Sequence, residues 1–425
     1  MRHYLLVFAV TAGVTFLATP IARALSLRLG WIDRPSDRKV HPKPTPTAGG
    51  LAIFIGLAAG MVVARFVPFL QGLYETSSEL DAAAIAAAMI VVVGVVDDTR
   101  GVSALGKLTG QILVAGVLVL LGVQLLWFYF PGQGVLSLSA DLAVPLTIAW
   151  VVLMMNAVNL VDGLDGLAAG LVAIAALAFF AYMVRSPGGD FEASTAALLS
   201  ALAAGAAIGF LPWNFHPAKI FMGDSGSLLL GLVLAVAPVS GVGRNLQGPS
   251  GGELAVIAIP VVAVPMLVLA VPLLDVLLAI VRRVRRGTGI GHADKEHIHH
   301  RLIEIGHSHR QAVLLMYLWS ALISGCALAV AFIDGRATVA AILAAAVVLA
   351  IALPWVFRRW AGTQYRHSAN GRGSGRAGLV RGADGTLVAV RDASDLGDPE
   401  VEDSDDPRAE VLGPIGRRAS PRGSG

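Results

Sequence analysis

The chain has 425 residues, of which 56% are hydrophobic and only 14% charged, with a formal net charge of +3 and a mean hydropathy of +0.72. Soluble domains carry about 25% charged residues, so these values exclude an ordinary soluble domain and place the chain in the membrane class. So small a net charge gives no reason to expect a nucleic-acid partner, and a single cysteine, Cys326 inside an apolar run, excludes an intrachain disulfide.

The first apolar run, Tyr4 to Leu25, is longer than the apolar region of a signal peptide, and Thr19-Pro20 is a poor cleavage context. It reads as a first transmembrane helix. A spanning helix needs about 20 mostly apolar residues, and on that criterion about eleven spans are expected. They cover 4–26, 49–70, 82–97, 106–130, 143–160, 166–184, 194–212, 225–241, 254–281, 312–333 and 337–357. Pro260, Pro265 and Pro272 are expected to bend the long ninth run. With the N-terminus outside, the odd-numbered helices end in the cytoplasm. The cytoplasmic loops then hold nearly all the basic residues, and Arg2, Arg185, Arg244 and Arg336 remain outside.

From Arg358 the composition turns to Gly, Arg, Asp, Ser and Pro, which cannot bury a core. The expected architecture is an all-α, polytopic transmembrane helix bundle over residues 1–357, N-terminus outside. A largely disordered cytoplasmic tail over 358–425 follows, with Gly378 to Val390 as a small hairpin.

Ionisable groups near membrane helices are expensive and invite a functional explanation. In this orientation nearly all of them fall on the cytoplasmic face. Asp97-Asp98 closes the third run, where two adjacent carboxylates repel and the helix dipole disfavours them. A divalent cation or a basic neighbour would compensate; a solvated helix end before Thr99-Arg100-Gly101 is an equal alternative. Asn156, Asn159 and Asp162 recur every third residue and so share a helix side, while glycines let Asp165 cap the next helix. A polar helix–helix contact explains Asp165 but leaves the other three converging on nothing.

Phe221-Met222-Gly223-Asp224-Ser225-Gly226-Ser227 opens the eighth run. Helix N-termini attract phosphate and glycines allow close approach. Asp224 is either a magnesium ligand beside a pyrophosphate, since magnesium takes oxygen ligands, or a helix cap. The segment 282–310 carries His292, His297, His299, His300, His307 and His309 among Asp294, Lys295, Glu296, Arg301 and Arg310. No cysteine and no H-x-x-x-H pair supports zinc, and phosphate and sugar binding is preferred. Arg282, Arg283, Arg285 and Arg286 read mostly as a helix stop and lipid anchor. The first polar loop, Asp33 to Gly50, is stiffened by its prolines.

Together these motifs resemble the polyprenyl-phosphate N-acetylhexosamine-1-phosphate transferases, the MraY/WecA/TagO superfamily. The matching stretches are RKVHPKPTPTAGG (38–50), VVDDTRGVSALGKLTGQ (95–111), NAVNLVDGLDGLAAG (156–170), FMGDSGSLLLG (221–231) and DKEHIHHRL (294–302). They occur in the family's order, and the resemblance spans about residues 1–357, leaving the tail outside it. Members acting on UDP-MurNAc-pentapeptide typically show three consecutive histidines where this chain has His297-Ile298-His299-His300-Arg301. The resemblance is therefore to the GlcNAc-1-phosphate branch, with the pentapeptide donor as the alternative.

The resemblance implies transfer of GlcNAc-1-phosphate from UDP-GlcNAc to undecaprenyl or decaprenyl phosphate, with release of UMP. This would be the first membrane step of a lipopolysaccharide, teichoic acid or arabinogalactan pathway, at the inner membrane with the active site facing the cytoplasm. It implies magnesium, with manganese as the alternative, and is compatible with a homodimer. By resemblance Asp224 is the metal ligand. Asp97 and Asp98 lie beside the lipid phosphate, either one its base if a base is needed. Asp165 and Phe221 hold uracil. Lys107, Asn156, Asn159 and Asp162 line the nucleotide site, and His297, His299, His300 and Arg301 contact phosphate or sugar.

An ion-coupled transporter is the rival from another class, but transporters place charges at broken helices near the midplane. Here only Asp275 lies inside a run. A CDP-alcohol phosphotransferase needs an Ala-Arg pair after its DG. Here Asp162-Gly163 is followed by Leu164-Asp165-Gly166.

Overall fold

The computed structural model describes residues 1–33, 44–130, 134–184, 193–242 and 308–332, single positions between 340 and 348, and strands at 378–381 and 387–390. Most of the chain is helical, as expected for apolar segments whose backbone groups find no partners in lipid. The helices are α1 (Arg2–Leu29), α2 (Gly49–Phe66), α3 (Pro68–Thr76), α4 (Glu79–Arg100), α5 (Ala104–Leu120), α6 (Ala140–Val161), α7 (Leu167–Val184), α8 (Thr195–Asn214), α9 (Gly223–Val242) and α10 (His309–Phe332). Among the described residues, 8 helices are long and apolar enough to cross a membrane, and α5 is a shorter apolar helix. The protein is a multi-pass membrane protein. The expected ninth run 254–281 with Asp275, most of the last run 337–357, and His297, His299, His300 and Arg301 lie outside the described residues.

Local chemistry sets several boundaries. α1 stops at Gly30, whose φ of 73° is left-handed and whose N–H closes on Ser26 O. α5 begins after Ser103, whose hydroxyl accepts from Gly106 N at 3.2 Å. The second run was expected to continue to residue 70, but α2 ends at Phe66. Val67 is extended ahead of Pro68, and Pro68 starts the separate short helix α3. The fourth run was expected to reach residue 130, but α5 ends at Leu120. The turn at Gly122, φ 95°, is followed by the aromatic segment Trp127–Phe130, which has high strand propensity.

The described residues are mostly helical, as expected, and add short antiparallel ladders to the all-α expectation. Strands β1 (Ile32–Asp33) and β2 (Thr45–Pro46) pair, as do β3 (Trp127–Phe130) and β4 (Gly134–Ser137). In the C-terminal unit, Thr363–Gly425, β5 (Gly378–Arg381) and β6 (Leu387–Val390) form the hairpin expected there.

The unit Met1–Gly362 centres on α8 and α9. α9 packs against α4, α6, α8 and α2; α8 packs against α1 and α7; α10 lies on α7. Small residues bring these helices close. A Cβ at Gly94 of α4 would meet Ser225 N of α9 at 2.5 Å. Outward-facing Leu17, Ile21, Leu113 and Leu120 are exposed, as a lipid-facing surface requires.

Candidate active site

The polar residues collect at one end of the bundle because the chain turns there repeatedly. The C-terminal ends of α4, α6 and α8 meet the N-terminal ends of α2, α5 and α9. The first polar loop is tied in by its backbone. Phe221 N donates to Pro46 O at 2.8 Å, Gly49 N to Phe221 O at 3.0 Å, and Gly50 N to Met222 O at 2.9 Å. Gly49-Gly50 thus serves as a docking strip for the segment that leads into α9.

The Lys107 ammonium of α5 is the centre of the site. It lies 2.7 Å from Asp224 Oδ2 and 3.1 Å from Asp97 Oδ2, and it donates to Asn159 Oδ1 at 3.2 Å. Asn159 Nδ2 donates to Asp224 Oδ1 and, at 2.9 Å, to Ser227 Oγ. Oxygens from α4, α6 and α9 thus face one point. Asp97 Oδ1 accepts from Val102 N at 2.8 Å, which fixes the turn between α4 and α5.

The two adjacent aspartates have different surroundings. Asp98 caps α9 from another helix: Oδ1 accepts from Asp224 N at 2.7 Å, and Oδ2 accepts from Ser225 N at 3.1 Å and Ser225 Oγ at 2.8 Å. This resolves the unfavourable placement at the α4 C-terminus, because the carboxylate faces the positive end of α9. The approach needs Gly223, whose φ is 68°; a Cβ there would meet Asp98 Oδ2 at 2.6 Å. The cap that was the alternative reading of Asp224 is thus supplied by Asp98, and the Asp224 side chain faces Lys107 and Asn159.

Asn156 is placed one turn deeper. Its Nδ2 donates to Gln111 Oε1 at 2.6 Å, and Gln111 Nε2 donates back to Asn156 Oδ1 at 3.3 Å. Gln111 is fully buried. The pair clamps α5 to α6 so that Lys107, one turn from Gln111, meets Asn159. Asp162 terminates α6, its N–H reaching Asn159 O at 3.3 Å. Burial pushes its carboxyl well above the usual range, and Asp224, Asp98 and Asp165 push it the same way.

Asp165 meets His216 and Ala218, which the sequence did not single out. Its Oδ2 lies 2.7 Å from His216 Nδ1 and accepts from Ala218 N at 3.0 Å. The His216 ring stacks on that of His309, with centroids 4.2 Å apart and planes 19° from parallel. Arg310 Nε donates to His216 O at 3.0 Å, and Tyr317 OH donates to Gly166 O. Asn214 Oδ1 accepts from Gly166 N at 3.1 Å. A histidine five residues before the Phe221 motif was the available signal for His216. Nothing in sequence spacing joins it to Asp165 or His309.

Comparisons with known proteins place these motifs. The family model described as glycosyl transferase family 4 matches residues 81–242. The chain is 43% identical over 357 residues to a decaprenyl-phosphate N-acetylglucosaminephosphotransferase of Mycobacterium tuberculosis, covering 83% of this chain and 88% of the relative. It is 37% identical to a probable undecaprenyl-phosphate N-acetylglucosaminyl 1-phosphate transferase of Bacillus subtilis, covering 75% and 82%. A phospho-N-acetylmuramoyl-pentapeptide-transferase of Desulforudis audaxviator is 34% identical over 54% of this chain and 75% of the relative.

Proposed function

We propose that this chain, which belongs to glycosyl transferase family 4 among the polyprenyl-phosphate N-acetylhexosamine-1-phosphate transferases, moves GlcNAc-1-phosphate from UDP-GlcNAc onto a polyprenyl phosphate and releases UMP. It is a glycosyl-1-phosphate transferase. The acceptor is decaprenyl or undecaprenyl phosphate, by analogy with the relatives' names. The site faces the cytoplasm of the inner membrane, a reading supported by the sorting of basic residues.

The observation that carries this reading is the meeting of Asp97, Asp224, Asn159 and Lys107 at one end of the bundle. In phosphoryl transfer the protein contributes mainly positioning and charge neutralisation. A lipid-phosphate oxygen forms a bond to the sugar-bearing phosphorus of the donor, and the bond to the UMP oxygen breaks. Lys107 supplies positive charge at the place where these anions meet. Asp98, which accepts from Asp224 N and Ser225 N, fixes the start of α9 and so holds the Asp224 side chain at the same place. No side-chain base is required, because a phosphate monoester, with a second pKa of about 6, is already largely ionised near neutral pH.

The donor set also suits magnesium, or manganese. Carboxylate and amide oxygens of Asp224, Asp97 and Asn159 converge where one cation, the Lys107 ammonium, already contacts all three. Such an ion, when bound, neutralises charge on the donor's phosphates. Asp224 is its leading ligand. Asp165 accepts a hydrogen bond from uracil, and Phe221, at the docking strip, stacks on the base. His297, His299, His300 and Arg301 contact phosphate or sugar.

Membranes containing the chain, given radiolabelled UDP-GlcNAc, magnesium and polyprenyl phosphate, should yield a labelled lipid and free UMP. No labelled lipid from well-expressed protein would reject the reaction. Preference for UDP-MurNAc-pentapeptide in competition would replace the donor and leave the reaction class standing.

A further inference from the structure

We infer that His216 is a positioning residue for base recognition: its ring fixes the Asp165 carboxylate so that the other oxygen accepts the uracil N3–H. The inference rests on the proposed role of Asp165 as the uracil acceptor.

Asp165 sits in the turn between α6 and α7, flanked by Gly163 and by Gly166 with φ 81°. A short side chain on such a turn has several rotamers open to it. Two donors remove that freedom, and both bind Oδ2: His216 Nδ1 at 2.7 Å and Ala218 N at 3.0 Å. Among the described residues, Oδ1 takes no hydrogen bond and remains an acceptor.

The donors come from one anchored segment. Asn214, which is buried, accepts from Gly166 N at 3.1 Å and donates to Ile220 O at 3.1 Å. Lys219 N donates to Trp213 O at 2.8 Å. The His216 ring is backed by His309 of α10, and its carbonyl is held by Arg310. Rotating the ring would break both the stack and the bond to Asp165.

A fixed carboxylate oxygen discriminates between pyrimidines. Uracil presents N3–H, a donor, where cytosine presents a lone pair. A site built to receive a donor rejects the analogue that lacks it, because its own polar group is left unpaired.

A metal at this place is the competing reading. Asp165, His216 and His309 offer ligand atoms within 4.8 Å of one another, and His309 Nε2 is buried without a hydrogen-bond partner. However, the rings lie face to face at 4.2 Å. Two nearly parallel imidazoles cannot both aim an in-plane lone pair at one ion about 2 Å away.

The test uses the full chain in detergent, with UMP and CMP binding by calorimetry and UDP-GlcNAc kinetics. His216→Phe keeps a ring to stack on His309 and removes the donor. His216→Asn keeps a donor close to the Nδ1 position and removes the ring. His216→Phe should raise the Kd for UMP and the KM for UDP-GlcNAc about tenfold or more, as expected for a hydrogen bond to a charged group. Its kcat should hold within about threefold. Its preference for UMP over CMP should fall, and His216→Asn should restore most of it. Asp165→Asn should lose the preference outright.

Wild-type preference and KM in His216→Phe, with the preference lost in Asp165→Asn, would overturn the positioning role alone. Equal losses in both His216 variants, with lowered thermal stability, would also overturn it in favour of a structural role. Preference retained in Asp165→Asn would remove Asp165 from the base and overturn the site reading together with this inference, while the labelled-lipid assay still reports the reaction. Stoichiometric zinc in purified wild type that His309→Asn abolishes would overturn it in favour of the metal.

Discussion

Replacing Asp98 by asparagine separates a structural carboxylate from a reacting one. The Asp98 oxygens accept three hydrogen bonds at the start of α9, from Asp224 N, Ser225 N and Ser225 Oγ. Asparagine keeps the shape but offers one acceptor oxygen and turns an NH2 toward the other donors. With that oxygen kept on Asp224 N, the Ser225 hydroxyl can adapt by turning its proton toward Met222 O, 3.5 Å away. The Ser225 N–H cannot adapt, and Ser225 is buried. An orphaned buried donor costs about 1–3 kcal/mol, and losing a negative charge at a helix N-terminus costs about 0.3–2 kcal/mol more. Asp98→Asn should therefore lose about 1–5 kcal/mol of stability. The assay is thermal unfolding of detergent-purified protein, paired with labelled-lipid turnover per folded molecule. A melting temperature equal to wild type, with turnover abolished, would refute the cap and return Asp98 to the role of a base at the lipid phosphate.

Asp224→Asn should show the opposite pattern, a thermal profile close to wild type with turnover reduced on the order of a hundredfold or more; near-normal turnover at low magnesium would remove Asp224 from the metal. Asn156→Ala should cost about 1–3 kcal/mol by orphaning the buried Gln111 amide. The double change Asn156→Leu with Gln111→Leu should recover most of that stability and retain activity; a stable but inactive double variant would show that Asn156 touches substrate. Truncation after about residue 365 should leave substantial labelled-lipid activity, because the tail's composition cannot bury a core; complete loss with protein still in the membrane would give the tail a part in catalysis.

Much of the architecture was legible in the sequence because lipid permits so few solutions. A long apolar run must be helical, since its N–H and C=O groups have no other partners, and α6, α7, α8 and α9 begin and end within a few residues of the expected runs. Where the expectation failed, the rule itself was weaker. Leu120 to Phe130 is as apolar as a helix, yet Gly122 and four consecutive aromatics turn it into a hairpin strand. Hydrophobicity alone does not distinguish the two.

The candidate site divides in the same way. Asn156, Asn159 and Asp162 stood out because charge and amide groups near apolar helices are expensive, whereas Asp165 and Asp224 also had cap readings and Lys107 entered through the family resemblance. Their division of labour did not stand out. Asp97 and Asp98 are adjacent, but successive residues on a helix point about 100° apart. One therefore meets Lys107 and the other meets the α9 N-terminus. Asn156 and Asn159 share a helix side, but α5 offers Gln111 to one and Lys107 to the other. The link from Asp165 to His216 and His309 spans α7, α8 and the whole stretch up to α10. The sequence by itself determined that this chain crosses the membrane and gathers polar residues at helix ends, because burial cost acts on each residue where it stands, and its ordered motifs carried the family resemblance. Only the tertiary structure decided which carboxylate caps, which meets the cation and which is held by histidine, because a hydrogen bond depends on what another helix brings within about 3 Å.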